Sequence, residues 1–260
     1  MQPTTEFLPG FDGTPLAVHR LGRSEKEGGR PLVLMHGLFS SAEVNWIKYG
    51  TAKALVEAGF ACIMPDLRAH GQSGKPHDPA AYPHDVLVKD LAALIRQLGL
   101  VDYDLAGFSL GARTALRGVI AGGLAPRRLV LGGMGLSGLR HWTARIDFFL
   151  DVIARYGTIP RDDHAYIAQN FMRSTKADLV AARLLLESFL ADAAEAEGED
   201  LGRANLPTLL VCGTEDDDNG SAEELAAALP DGRYSPIPGN HLSSVTKPEM
   251  AKAIAAFLQA

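Results

Sequence analysis

Short apolar runs recur along the chain, separated by longer stretches in which apolar residues return every three or four positions. The runs PLVLMHG from Pro31, FACIMPD from Phe60, VDYDLAGF from Val101, RLVLGGM from Arg128 and PTLLVCG from Pro207 have strand length, and each closes around Gly, Pro or Asp. Such runs, apolar on both faces, predict strands buried within a parallel sheet. An earlier stretch, TPLAVHRLG from Thr14, alternates apolar and polar residues and predicts a half-buried antiparallel strand. Helical periodicity fills the gaps over 43–58, 83–98, 110–121, 222–229 and 246–258. Alternation of this kind predicts an α/β fold: a mostly parallel, doubly wound sheet with helices on both faces.

One segment breaks the rhythm. Residues 137–205 carry no convincing strand pattern but several helical ones, ARIDFFLDVIARYG, DDHAYIAQNFM and ADLVAARLLLESFL. The expectation is a helical cap inserted into a core domain of 1–136 and 206–260, packed over one edge of the sheet. Phe148, Phe149, Phe171 and Met172 fit the inner face of those helices. Together with Phe39 they are the candidates for lining a substrate pocket.

Composition narrows the function classes. The net charge is -6, and the only basic pair, Arg127-Arg128, reads as the corner before a strand, so a nucleic-acid footprint is not expected. No stretch is apolar for long enough to span a bilayer, and MQPTTEFLPG lacks the basic start and apolar run of a signal peptide. Both cysteines, Cys62 and Cys212, lie inside apolar runs, which predicts buried free thiols in a reducing, cytoplasmic setting. Beyond the acidic piece ADAAEAEGED there is no low-complexity tract, and no repeat is visible.

Chemistry concentrates in a few loops. In DLAGFSLGARTAL from Asp104, Ser109 sits between an apolar run and a helical one, flanked by Gly107 and Gly111. A strand, Gly-x-Ser-x-Gly, helix sequence makes a sharp turn that lifts a serine hydroxyl clear of the sheet. The same serine could equally serve as an N-cap. A serine nucleophile needs a general base, itself oriented by an acid. Downstream, GTEDDDNG places Asp216, Asp217 and Asp218 in a loop leaving a strand, and SPIPGNHLSS places His241 in a Gly-rich loop after another strand and before the last helix. His77, His84 and His141 stand apart, with no metal-ligand spacing.

With HGLFSS from His36, DLRAHGQS from Asp66, GFSLG from Gly107, GTEDD from Gly213 and GNH ending at His241, the chain resembles the α/β-hydrolase family over nearly its whole length. The resemblance implies a catalytic triad of Ser109, Asp216 and His241, with Asp216 at the Gly-x-x-Asp spacing after Gly213. It also implies an oxyanion hole built from the backbone N–H groups of Leu38 and Leu110. His36, Arg68, His70 and Ser73 are expected to brace loops, and no cofactor or metal is implied. Relatives that use Asp at the elbow, such as haloalkane dehalogenases and epoxide hydrolases, are disfavoured by Ser109. The expected activity is hydrolysis of a small or medium carboxylic ester or lactone, on a small-molecule substrate. Alternatives on the same triad are a carbon–carbon bond hydrolase and a cofactor-free perhydrolase. A hydrolase-like receptor that binds without turnover is the alternative of another class.

Overall fold

The apolar runs form the middle of one twisted sheet. The structure, a computed structural model, describes residues 2–24, 27–197 and 200–260. Its strands are β1 (Thr4–Pro9), β2 (Pro15–Leu21), β3 (Arg30–Met35), β4 (Phe60–Pro65), β5 (Asp104–Phe108), β6 (Leu129–Gly132), β7 (Thr208–Gly213) and β8 (Gly232–Ile237). They lie in the order β1-β2-β4-β3-β5-β6-β7-β8, parallel from β4 to β8, with β2 antiparallel to both of its neighbours.

Strand pleating sends alternate residues to opposite faces, and both faces are covered. On β3, Leu32 and Leu34 join a core with Ala52, Leu55, Ile254 and Phe257, from α1 (Thr51–Glu57) and α9 (Pro248–Gln259). Val33 and Met35 face the other way, toward Leu91 and Leu94 of α2 (Val86–Gln97), Leu116 of α3 (Leu110–Ile120) and Leu225 of α8 (Ala222–Ala228). Burial on both sides is the reason these strands lack polar alternation. Cys62 of β4 and Cys212 of β7 sit in this core as free thiols, and burial pushes each up to about 12.

Two details differ from the sequence reading. The helix expected over 43–58 is broken: a five-residue π-type turn, Glu43–Ile47, is separated from α1 by Gly50 at φ 84°. β1 gives little apolar signal because nearly all of it is exposed; it is held by pairing with β2 across a turn closed by Gly10 N–H to Thr14 O at 2.7 Å. β8 is likewise a largely exposed edge, with Pro236 tolerated because only β7 pairs with it.

Between β6 and β7 the described residues form no strand. They fold into α4 (Leu136–Arg140), α5 (Trp142–Ala154), α6 (Tyr166–Ser174), α7 (Leu179–Glu197) and a single 3₁₀ turn, Leu201–Arg203. Of the acidic stretch ADAAEAEGED, Gly198 and Glu199 lie outside the described residues. Residues of α4, α5 and α6 line a cavity shared with the loops that follow β3, β5 and β8, so they stand over the carboxyl ends of the strands and not beside an outer strand. Among the described residues no helix is long and apolar enough to cross a membrane.

The strand order fixes where that cavity lies. From β3 the chain steps to β4 on one side and then crosses to β5 on the other. The loops leaving β3 and β5 therefore part at their carboxyl ends and open a crevice, as at other switch points of α/β sheets.

Candidate active site

The loop after β5 is a tight, strained elbow. Ser109 has φ 51° and ψ -114°, a conformation L residues rarely adopt and one that costs about 1–3 kcal/mol. Two bonds hold it there: Ser109 N–H to Gly132 O at 2.8 Å, and Arg113 N–H to Ser109 O at 3.0 Å. The flanking glycines are needed for contact. A Cβ at Gly111 would lie 2.4 Å from the Met35 carbonyl oxygen, and one at Gly107 would lie 2.3 Å from that of Gly111. Because the obstructing atoms are backbone, Gly111→Ala should destabilise the fold by about 2 kcal/mol or more, read as a lower urea midpoint. An unchanged midpoint would show that the elbow tolerates a side chain there.

Opposite the elbow, the loops after β7 and β8 bring together an acid and an imidazole. His241 Nε2 lies 3.0 Å from Ser109 Oγ, and His241 Nδ1 lies 2.9 Å and 3.1 Å from the two carboxylate oxygens of Asp216. Nδ1 faces only acceptors, so it carries the proton and donates to Asp216. This leaves the Nε2 lone pair to accept from the serine hydroxyl. The Asp216 carboxylate is 1% exposed and the His241 ring 11%. Asp216 also accepts from the Asp218 N–H at 3.3 Å. Asp217 and Asp218 are exposed. The Asp218 carboxylate, which lines the cavity, lies 3.5 Å from the Arg145 guanidinium, and Arg145 also donates to the Asp218 carbonyl at 2.8 Å. The Phe108 and His241 rings pack together tilted by 41°, with centroids 5.0 Å apart.

The model of the alpha/beta hydrolase fold family matches residues 30–119, which run from β3 into α3 and include Ser109. The chain has the α/β-hydrolase fold, and about a third of it, residues 30–119, matches that family's model. It is 41% identical over 86 residues to an sn-1-specific diacylglycerol lipase of Mus musculus, covering 33% of this chain and 26% of the lipase. To the N-formylmaleamate deformylase of Pseudomonas putida it is 31% identical over 144 residues, covering 54% and 52% of the two chains. These matches span about a quarter and a half of the relatives' own lengths. Over 98% of this chain and 100% of the other, the crystal structure of the enol-lactonase from Burkholderia xenovorans LB400 superposes with a TM-score of 0.72 at 20% identity, a likeness of fold alone. Asp216 and His241 lie outside the matched residues 30–119, so their placement beside Ser109 is a finding of the geometry.

In this α/β-hydrolase-fold chain the loop after β3 faces the elbow. Leu38 and Leu110 both line the cavity with Ser109, and neither N–H is taken by a backbone acceptor among the described residues. The loop is braced from behind. Leu67 N–H donates to His36 Nε2 at 2.9 Å, which fixes the His36 proton on Nδ1, where it donates to Gly37 O at 2.8 Å. Burial pushes the His36 pKa down, so the ring is a neutral strut and takes no part in proton transfer. Asn45 Oδ1 accepts the Gly37 N–H at 3.0 Å, and Asn219 Nδ2 donates to Gly133 O at 2.7 Å beside the elbow. No sequence motif marks either asparagine. Arg68 is wholly buried between Asp12 and Asp90, and Ser73 ties Ala17 to Asp66.

The DLRAHGQS loop is expected to make the fold acid-sensitive. Burial, and then the neighbouring His36, hold the His70 imidazole down at about 3. Its Nδ1 lies 2.8 Å from Arg68 O, while its buried Nε2 has no partner among the described residues. A group whose folded pKa is depressed supplies stability above its unfolded value of about 6.5 and loses it as pH falls toward the folded value. Stability should therefore fall between about pH 6.5 and pH 4, by about 1.4 kcal/mol per pH unit for each extra proton bound by the unfolded chain. His70→Gln should flatten that limb in a pH series of urea melts. A limb as steep as that of the parent would remove His70 from the account.

The cavity encloses about 900 Å³. Four of the expected pocket residues, Phe39, Phe148, Phe149 and Phe171, line it. The expectation for Met172 is corrected: it does not line the cavity and is fully buried among core side chains, because the next position on α6 turns about 100° away from Phe171. His141 lines the cavity, His77 lies on Asp178 and His84 on Asp85. Asp216, Asp218 and His241 offer ligand atoms within 4.8 Å of one another, but both Asp216 oxygens are already engaged by His241.

Proposed function

We propose that this chain is a serine hydrolase that cleaves a small or medium carboxylic ester or lactone through an acyl-enzyme. The observation that carries the reading is the unbroken relay from Asp216 through His241 to Ser109 Oγ, at 2.9 Å and 3.0 Å. Ser109 Oγ attacks the acyl carbon while its proton passes to His241 Nε2, and Asp216 holds the imidazolium that forms. The carbonyl π electrons move onto oxygen, where the Leu38 and Leu110 N–H groups receive the charge. Collapse breaks the acyl–oxygen bond, and the departing alkoxide takes the proton from His241. Water then repeats the sequence on the acyl-serine. With a lactone the departing hydroxyl stays tethered to the acyl group, and the chemistry is otherwise the same. The relatives matched in sequence, named a lipase and a deformylase, support a hydrolytic reaction. The α4–α6 segment acts as the cap that closes the site, and the two buried free thiols fit a reducing, cytoplasmic setting.

A panel of esters, lactones and vinylogous diketones, with Ser109→Ala as the blank, tests the reading. Multiple turnovers on an ester or lactone support it. Turnover confined to diketones assigns carbon–carbon cleavage, and tight binding without turnover assigns a receptor.

A further inference from the structure

Of the nine large apolar residues exposed among the described residues, three line this one cavity: Tyr49 at 44% exposure, Ile167 at 64% and Leu242 at 45%. They come from three separate places, the loop before α1, helix α6 and the loop beside His241. Exposed members of a cavity lining mark its opening, so the mouth carries these three apolar side chains beside the polar Lys48, Ser137, His141, His164, Ser174 and Asp218. Inward from it, Phe39 packs edge to face on Phe149, and Phe149 on Phe148, at 5.3 Å and 5.1 Å between centroids. An apolar path thus joins Ser109 to the surface. Of the charged side chains that line the cavity, Arg145 and Asp218 face each other as a pair. Lys48 lies over the exposed Tyr49 ring at the mouth. A cavity of about 900 Å³ is far larger than an acetyl ester needs, and it falls within the range that holds drug-sized ligands.

We infer that the substrate is an uncharged ester with an unbranched apolar chain of medium length that runs from Ser109 along the aromatic wall toward Tyr49, Ile167 and Leu242 at the mouth. The inference rests on the hydrolase reading above and narrows it. A short acyl group leaves the aromatic wall and the rim in water, whereas each added methylene removes apolar surface from water on both partners. Remote binding of this kind is felt in kcat/KM because it is present in the transition state.

The test is a p-nitrophenyl ester series from acetate to octanoate, kept below micellar concentrations, with an ω-carboxylated ester as the charged member. Specificity, kcat/KM, should rise two- to fourfold per methylene, the upper figure being that of a fully buried CH2 at about 0.8 kcal/mol. The double variant Ile167→Ser with Leu242→Ser should cut the octanoate-to-acetate ratio at least tenfold. Val180→Ser, which removes an exposed apolar residue away from the cavity, should leave the ratio as in the parent. A flat or falling series overturns the inference, as does a preference for the carboxylated ester or a ratio that the double variant leaves intact. A rim variant that changes only the sedimentation coefficient would assign the rim to contact between copies of the chain, and also overturns it. If acetate is turned over and a fluorophosphonate labels Ser109 while the series is flat, the chain-length inference alone fails. If no ester is turned over and no label appears, the hydrolase reading fails with it.

Discussion

Ser109→Ala is expected to lower kcat on any ester the protein hydrolyses by about 10⁶, to the level left by binding and the oxyanion donors. The hydroxyl is the atom that would be acylated, and no second nucleophile stands within reach of His241 Nε2 among the described residues. Stability should respond differently. Ser109 sits at φ 51° and ψ -114°, so the strain belongs to the position and remains in the alanine variant. Ser109→Gly should relieve it and be at least as stable as Ser109→Ala, while being equally inactive. Residual turnover within tenfold of the parent in either variant would contradict the assignment.

The second large effect is expected at Asp216. Asp216→Asn keeps the shape of the side chain but can present an amide N–H to His241 Nδ1, favouring the tautomer with the proton on Nε2. That tautomer cannot accept from Ser109. A loss on the order of 10⁴ in kcat is expected, as in well-studied triads. Asp217→Asn and Asp218→Asn should each change kcat less than about tenfold. Asp217 is exposed, and the link from the Asp218 residue to Asp216 runs through its backbone N–H, which the substitution preserves. A crippled Asp217 variant beside a mild Asp216 variant, measured on one ester, would move the acid to the other residue.

How much of this was legible in the sequence depended on burial. The strands from β3 to β7 could be read because both faces are covered, which leaves runs such as PLVLM and TLLVC nearly free of polar residues. The edge strand β1 was silent for the opposite reason, since pairing holds it and little apolar surface marks it, and β8 was read only as the strand before the His241 loop. Apolar periodicity ran on through Gly50, so one helix was expected where a π-type turn and a helix meet. In the site, Ser109 and its glycines announced themselves by spacing. By contrast, Asp216 and His241 are 25 residues apart and meet only because β7 and β8 are neighbours. Asn45 and Asn219 were invisible because each serves one carbonyl or N–H group that only the folded chain brings near. Phe171 and Met172 show the limit of helical patterns: adjacent apolar residues on α6 reach different surroundings, and periodicity alone does not say which one faces the cavity.

The central claim is that Ser109, activated by His241, becomes covalently acylated. The most direct measurement is reaction of the intact protein with a fluorophosphonate probe, followed by mass mapping of the labelled peptide in the parent and in His241→Ala. One label per chain on Ser109, formed at a rate that His241→Ala lowers by several orders of magnitude, is the predicted result. A label on any other residue, or none in a preparation that still turns over ester, would contradict it.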